Sequence, residues 1–477
     1  MGTEGPRASI LSVMESIAAS AASRSDELLA EALRRLVRRG KRADITRLLS
    51  KVRPGDMPVL LSSLTPAERL HVFQIVTEEY PDTAGDVLSD LEAPQRLELL
   101  EKLPSDVIAE ILDSAAVDDA VYVIDSLPEA KKEEVLRLVD PQQMSEMRPH
   151  LTYEDDTAGR IMDPEFFALP EATRVRQAIA AIQEKRDVEM IYYLYIVDSD
   201  KRLLGVTSLR QLLLSRPDQR LGEIMQRDII RVHTDTDQEE VAAVAARHDL
   251  LAVPVVDGEN RLVGIVTLDD IIDVVKEEAN EDILRIAGTS EDELLYQDRS
   301  FRVAGIRLPW LLVNLVGGVI TGLLLERFQV SFHDALFLLA FVPVVMGMGG
   351  NSGTQTSTIT VRGLATGRIE LDGGRIRHYL WQQVKVGALL GIATGTVAGT
   401  VALVLQRNPA YSLVVGGAML FAILVASLNG VMIPLLFERL GVDPAVAAGP
   451  LVTTSNDITG ILIYFGLASL LIQFLVK

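Results

Sequence analysis

Asp457 sits inside the last apolar run of a 477-residue chain, in the stretch 451–462, LVTTSNDITGIL. That run, 445–476, is long enough to cross a bilayer, which takes about 20 apolar residues. A carboxylate at membrane depth costs at least ~2.5 kcal/mol, so it has to face water, a cation or a partner. Thr453, Thr454, Ser455, Asn456 and Thr459 cluster around it. The wet side they make suits a hydrated cation held in a pore. A second polar interruption lies at 341–360, FVPVVMGMGGNSGTQTSTIT. There Pro343 removes a helical hydrogen bond, and Gly347, Gly349, Gly350 and Gly353 loosen the backbone. Asn351, Ser352, Thr354, Gln355 and Thr356 then supply oxygens. Broken polar backbone at that depth is tolerated only where it is buried in protein or lines a watery cavity. The glycines alone would indicate close helix packing. With Asn351, Gln355 and Asp457 in one membrane body, the pattern points to a pore.

A third group of reactive side chains is acidic. The stretch 268–288, LDDIIDVVKEEANEDILRIAG, has a helical pattern. Asp270, Asp273, Glu277 and Glu281 recur at three and four residues, which makes one helix face a carboxylate stripe. Like charges at this spacing destabilise an isolated helix by ~0.2–0.5 kcal/mol per pair. Lys276 is the internal base nearby. The face is either a solvated linker or one completed by divalent cations, for which carboxylate oxygens are natural ligands.

The elements that must position these groups fall into two bodies. Residues 301–477 hold seven acids and eleven Lys or Arg, whereas residues 1–300 hold 59 acids and 35 bases. An acidic soluble body is thus joined to an apolar membrane body. The acidic balance argues against nucleic acid and for cations or basic partners. The chain has no Cys, which excludes disulfides, thiolate metal sites and cysteine catalysis. None of its six His forms a His-Glu-x-x-His pair and no phosphate loop is present, so neither a zinc protease nor an ATP-driven pump is expected. Residues 8–22 mimic a signal peptide, but Glu4 and Glu15 interrupt the pattern, and an amphipathic helix or loose tail is expected.

Residues 26–150 read as helix after helix. The segments 64–76, 91–103 and 127–139 resemble one another, and Ser105 is placed to cap a helix between them. The spacing is irregular, and short helices stacked as a small superhelix are expected. The basic group Arg34, Arg35, Arg38, Arg39, Lys41 and Arg42 reads as a solvated helix face rather than a lipid contact. Residues 152–275 hold two copies of one layout: short strand, helix, two strands joined by an Asp-rich turn, second helix. Met162 and Met225 mark the same point in each. Five apolar runs follow, roughly 304–325, 335–361, 379–405, 413–437 and 445–476. Arg362, Arg368, Arg375 and Arg377 lie between the second and third, and Arg439 between the fourth and fifth. The positive-inside rule then puts the acidic body in the cytoplasm and Lys477 outside.

The sequences VVDGENRLVGIVTLDDI and VDSDKRLLGVTSLRQL resemble CBS domains. CBS domains pair into a disc whose cleft often binds adenosine nucleotides, through a Thr or Ser and an Asp three residues on. Thr267 and Asp270 match in the second copy. In the first, Ser208 matches but Gln211 replaces the Asp. The pair is therefore either a nucleotide site with one intact cleft or a dimerisation module.

VPVVMGMGGNSGTQT and DPAVAAGPLVTTSNDITG, with the CBS pair and the acidic bridge, together resemble the MgtE family of magnesium channels. The resemblance implies a multidomain membrane protein: an all-α superhelical N domain (1–151), an α/β CBS pair (152–215 and 216–273), a connecting plug helix (274–300) and a transmembrane domain of five helices (301–477). It implies a homodimer in the bacterial inner membrane with the pore on the dimer axis and Asp457 binding Mg²⁺ there; Asn351 and Gln355, read from the polar stretch itself, are expected at the same ion site. It implies that cytosolic Mg²⁺ holds the channel shut by binding at Asp237, Glu239, Asp249, Asp270, Asp273, Glu278, Glu281, Asp282 and Asp443, and that ATP tunes the response. A secondary carrier coupling Mg²⁺ or Co²⁺ to H⁺ or Na⁺ is the alternative.

Overall fold

The computed structural model describes residues 28–184, 192–290, 293, 300–331, 333–366, 368–369 and 373–475. The tail at 8–22 lies outside the described residues. The chain divides into two units, one ending at Val274 and the other beginning at Val275.

The first unit opens with helix α1 (28–38). It continues through α2 (Arg42–Leu49), α3 (Met57–Ser62), α4 (Pro66–Glu79), α5 (Pro81–Ser89), α6 (Ala93–Lys102), α7 (Ser105–Ser114), α8 (Val117–Asp125), α9 (Glu129–Leu136) and α10 (Pro141–His150). The three similar segments are α4, α6 and α9. Each carries a base in its first turns that donates to carbonyls at the end of an earlier helix. Arg69 of α4 donates to Leu61 O and Leu64 O, both at 3.1 Å. Arg96 of α6 donates to Ser89 O at 2.7 Å and Leu91 O at 3.0 Å. Lys131 of α9 donates to Leu100 O at 2.6 Å. Each base thus joins two helices, and Leu33, Phe73, Leu88, Leu100 and Ile124 fill the core between them. Ser105 stands one residue past the cap position, which Pro104 takes. The basic group is largely a paired face: Arg35 meets Glu31, Arg38 meets Glu68, and Arg42 meets Glu78 and Glu79. Exposed pairs of this kind contribute about 0–1 kcal/mol.

Helix α11 (Ala158–Ile161) leads into the paired α/β layout. The first copy is β1 (Ala168–Pro170), α12 (Val175–Glu184), β2 (Tyr193–Val197), β3 (Leu203–Ser208) and α13 (Leu209–Leu214). The second is α14 (Leu221–Ile224), β4 (Val232–His233), α15 (Gln238–His248), β5 (Ala252–Val256), β6 (Leu262–Thr267) and α16 (Leu268–Ala287). Each sheet has the first strand parallel and the last antiparallel to the middle one. The Asp-rich turns form because Asp198 and Asp257 each accept backbone N–H groups two and four residues on. The copies also exchange their leading segments. Asp163 pairs with Ile265 of β6, and Gln226 pairs with Val206 of β3. Met162 then packs on Gly264 and Met225 on Gly205, where any side chain would collide with the methionine. That crossing explains why the two Met mark the same point.

Among its described residues the second unit holds five helices long and apolar enough to cross a membrane: span 1 (Ser300–Phe328), span 2 (Phe337–Ala365), span 3 (Gly373–Gln406), span 4 (Pro409–Arg439) and span 5 (Pro444–Leu471). Spans 1 to 4 are each longer than the apolar run that predicts them. Two details differ from the sequence expectation. Span 2 is not broken at its polar stretch: Val342–Ala365 is one α-helix, with Pro343 in its first turn. A proline there removes no hydrogen bond, since those N–H groups have no partner in any helix. The break lies in span 5 instead. The short helix Pro444–Ala448 stops at Gly449, and a new helix, Pro450–Leu475, carries Asp457. Spans 3 and 4 cross through small residues, with Gly395 and Gly399 against Gly416. Such residues let backbones approach closely where no hydrophobic drive operates.

Candidate ion-binding sites

Span 2 sorts its residues by face. Asn351, Thr354, Gln355, Thr358 and Ile359 recur at helical spacing and line an open groove of about 440 Å³. Asn351, Gln355 and Thr358 are exposed along it. The other face is buried: Ser352 Oγ lies 3.1 Å from Ser427 Oγ of span 4, and Thr356 and Thr360 bond back to carbonyls one turn earlier. Span 5 meets span 2 at this level, because Gly353 faces Asn456 and Gly350 faces Thr453. Asn456 is buried and accepts from Asn429 Nδ2 at 3.1 Å. Asp457, the next residue, is half-buried. Thr454 donates to Asn314 Oδ1 of span 1 at 3.3 Å, which adds an amide the sequence reading did not use.

A second acidic group appears in the first unit. Asp118 and Asp119 open α8, and Asp163 follows the crossing Met162. Burial, and then the charge of Asp163, push the Asp118 carboxyl up to about 7. Burial and then Asp118 push Asp119 to about 7. Burial raises Asp163 to about 6. Asp270 is raised well above the usual carboxylate range by burial and then by Asp118, although its bond from Thr267 works the other way. Asp269 adds to the field at Asp118, Asp163 and Asp270. Nearby, the guanidinium of Arg160 on α11 is held by Asp125 of α8 at 2.6 and 2.8 Å and by His150 O at 3.0 Å. That grip ties the end of α8 to α11, which leads into the CBS copies. Mutually raised carboxylates with an unspent negative field are the donor set a hydrated divalent cation would satisfy. Among the described residues, no three His, Asp or Glu side chains are grouped to enclose an ion directly.

The other acids of the expected regulatory set divide by position. Asp237 and Asp249 sit at opposite ends of α15, as N-cap and as a C-cap with left-handed backbone, and Glu239 is in its first turn. Asp273 is in the early part of α16, and Glu278, Glu281 and Asp282 are in its later part. Asp443 caps the short helix of span 5 through Ala445 N at 2.7 Å. The far end of α16 docks there. The base that answers the acidic stripe is Arg285, not Lys276 alone: its guanidinium pairs with both Glu281 and Asp443. Burial and then Asp443 raise Asp282, opposed by Arg362 and Arg285. Gly449 makes the docking possible, because a side chain there would run into Ile286 O. Ile286 packs beside Val361, Ala445 and Ala448.

The CBS motif residues act as local caps. Thr267 Oγ1 donates to Asp270 Oδ2 at 2.7 Å, and Ser208 Oγ accepts from Gln211 N at 3.1 Å. The second copy thus pairs a hydroxyl with a carboxylate, and the first offers no carboxylate at Gln211.

Three family models match this chain: the MgtE divalent cation transporter at residues 342–467, the MgtE intracellular N domain at 52–156, and the CBS domain at 158–217 and 221–277. The magnesium transporter MgtE of Thermus thermophilus is 36% identical over 458 residues, covering 94% of this chain and 99% of that protein. The chain belongs to the MgtE family. The MgtE of Bacillus subtilis is 32% identical over 439 residues, covering 92% of this chain and 96% of that protein. Among solved structures, the cytosolic domain of the Mg²⁺ channel MgtE in complex with ATP is similar at 36% identity and a TM-score of 0.48, covering 51% of this chain and 99% of that one. MgtE is a family of ion transporters and not a class of enzyme. This MgtE-family chain is accordingly a multi-pass membrane protein with a helical N domain and a CBS pair. Sequence reasoning missed Asp118, Asp119, Asp163 and Arg285. Two acids at a helix start look like ordinary dipole partners, and Asp163 gains meaning only from the strand crossing. Arg285 could have been found from its place four residues after Glu281.

Proposed function

We propose that this chain is a Mg²⁺-selective channel for magnesium uptake that works as a homodimer in the bacterial inner membrane. The observation that carries the reading is the polar stripe Asn351, Thr354, Gln355 and Thr358 along an open groove of a membrane-spanning helix, with Asp457 half-buried on span 5, which meets that helix at the same level. A row of amides and hydroxyls facing lipid is costly, whereas the same row lining a watery path is not. A second copy facing the stripe closes the groove into such a path and supplies a second Asp457. Mg²⁺ keeps most of its waters, so a pair of carboxylates with amide oxygens around a hydrated ion suits it. The kinship with magnesium transporters supports the choice of ion.

Cytosolic Mg²⁺ closes the path. It binds at the acids around Asp118, Asp163 and Asp270, with Asp237, Glu239, Asp249 and Asp273 in the same unit, and at Glu278, Glu281, Asp282 and Asp443 where α16 docks. The repulsion among Asp118, Asp163 and Asp270, and that of Asp443 on Asp282, support that reading. Mg²⁺ stabilises the state in which they are close and shifts the population toward it. The second CBS copy takes ATP through Thr267 and Asp270. Because Asp270 also belongs to the cation cluster, nucleotide and Mg²⁺ are linked through one carboxylate. The Arg-rich ends at Arg362, Arg375 and Arg439 favour cytoplasmic N-terminal domains and a C-terminus outside.

Mg²⁺ influx into liposomes holding the purified chain, at several internal Mg²⁺ levels, tests the reading. Influx that falls as internal Mg²⁺ rises, with discrete unitary currents in patch recordings, is expected. Influx that requires a H⁺ or Na⁺ gradient, without unitary currents, would make the protein a carrier.

A further inference from the structure

The buried side behind the polar stripe is itself polar. Asn456 is 2% exposed. Its Oδ1 accepts from Asn429 of span 4, and its Nδ2 has no hydrogen-bond partner among the described residues. That Nδ2 fills the space a side chain would take at Gly353 of span 2. Gly430 of span 4, lacking a side chain, admits the carbonyl of Gly353 from the other direction. Spans 2, 4 and 5 therefore lock together at one level. Leucine would fill the same volume without desolvating an amide, so the Asn pair works against burial. Its return is direction. A hydrogen bond fixes the rotation of a helix in a way that apolar contact does not. Successive residues on a helix point about 100° apart, so holding Asn456 also sets the direction of Asp457. Gly353, seated on Asn456, sets the rotation of span 2. The residues turned the other way are Asn351 and Gln355.

We infer that Asn456 and Asn429 are positioning residues for the ion path. Their amide pair, seated on Gly353, aims Asp457 and the Asn351–Gln355 stripe. Neither need touch the ion. The inference rests on the reading of Asp457 as an ion site.

Asn456→Leu, Asn429→Leu and Asp457→Asn in the full-length chain, reconstituted in liposomes, separate the two claims. Mg²⁺ and Ca²⁺ influx are measured over a range of outside concentrations. Both Leu variants are expected to raise the Mg²⁺ concentration at half-saturation about tenfold, the change that about 1.4 kcal/mol of lost ion binding makes. The Mg²⁺/Ca²⁺ flux ratio falls with it, and Asn429→Gln, which still donates, keeps the parent values. Asn429 is half-buried, so Asn429→Leu tests the pair whatever Asn456→Leu does to folding. A merely structural role lowers the amount of folded protein without moving half-saturation or the ratio, and that result in Asn429→Leu overturns the inference. Loss of transport in Asp457→Asn beside unchanged Leu variants removes the positioning role alone. Parent-like transport in Asp457→Asn removes the ion site and the inference with it.

Discussion

Asp457 follows the buried Asn456, and beyond it Ile461, Tyr464, Phe465 and Ala468 are packed in the apolar core, so its carboxylate has few ways to be useful. Replacing it with Ala is expected to abolish Mg²⁺ uptake while the protein still reaches the membrane. Uptake assays in cells starved of Mg²⁺, with membrane fractions blotted in parallel, check this. Asp118 gives the opposite kind of prediction. Its carboxyl, with that of Asp119, lies near 7 in the folded chain, and Asp163 near 6. An unfolded Asp titrates near 3.9. The folded chain therefore holds more protons than the unfolded chain between those values. The stability these groups leave intact at low pH is lost as pH rises through about 6 to 7. Without Mg²⁺, the melting temperature of the first unit in the full-length chain should fall from pH 6 to pH 8. Mg²⁺ should restore it more at pH 8 than at pH 6. Asp118→Asn keeps the bond accepted from Asp119 N and removes one charge. It should raise the Mg²⁺-free melting temperature at pH 8 by about 2–4 °C. A melting curve indifferent to pH would show that the cluster carries no repulsion.

At the scale of elements, α16 decides most. Its last turns are held at Asp443 by Arg285 and at Gly449 by Ile286. Gly449→Ala puts a methyl group where Ile286 O now sits, so the helix end must shift. Flux into liposomes should then persist at internal Mg²⁺ levels that shut the parent. Neutralising Glu278, Glu281 and Asp282 together should have the same effect for a different reason, since Mg²⁺ has less to bind. Closure that is unchanged in the triple variant would leave the stripe a solvated face. Span 2 carries a related lesson. Its glycines were expected to loosen the backbone, yet the helix is continuous and Gly353 serves a close contact. Glycine in a bundle of helices in lipid is as apt to bring backbones together as to break one.

For the whole molecule, the exposed stripe of span 2 makes a statement about assembly. The chain has no Cys. A single Ile359→Cys at the rim of the groove is therefore a clean reporter, since Ile359 is 61% exposed. Oxidation in membranes is expected to give a covalent dimer at twice the 52.2 kDa chain mass. Failure to cross-link, with the thiol shown to be reactive, would argue against a two-fold pore. The layout of the chain was legible in the sequence because each part has its own period and composition. Helical repeats, the Asp-turn strand pairs and the apolar runs are local properties of the chain, and so are the carboxylate in the last run and the acids of α16. What the sequence left open were relations between distant residues. Asp118 feels the charges of Asp163 and Asp270 only because the fold brings α8 near the crossing of the two CBS copies. Arg285 finds Asp443 only when α16 docks at the break in span 5. Asn456 finds Asn429 and Gly353 only when three helices cross at one level. Periodicity states which face of an element is polar, and only packing decides what that face meets.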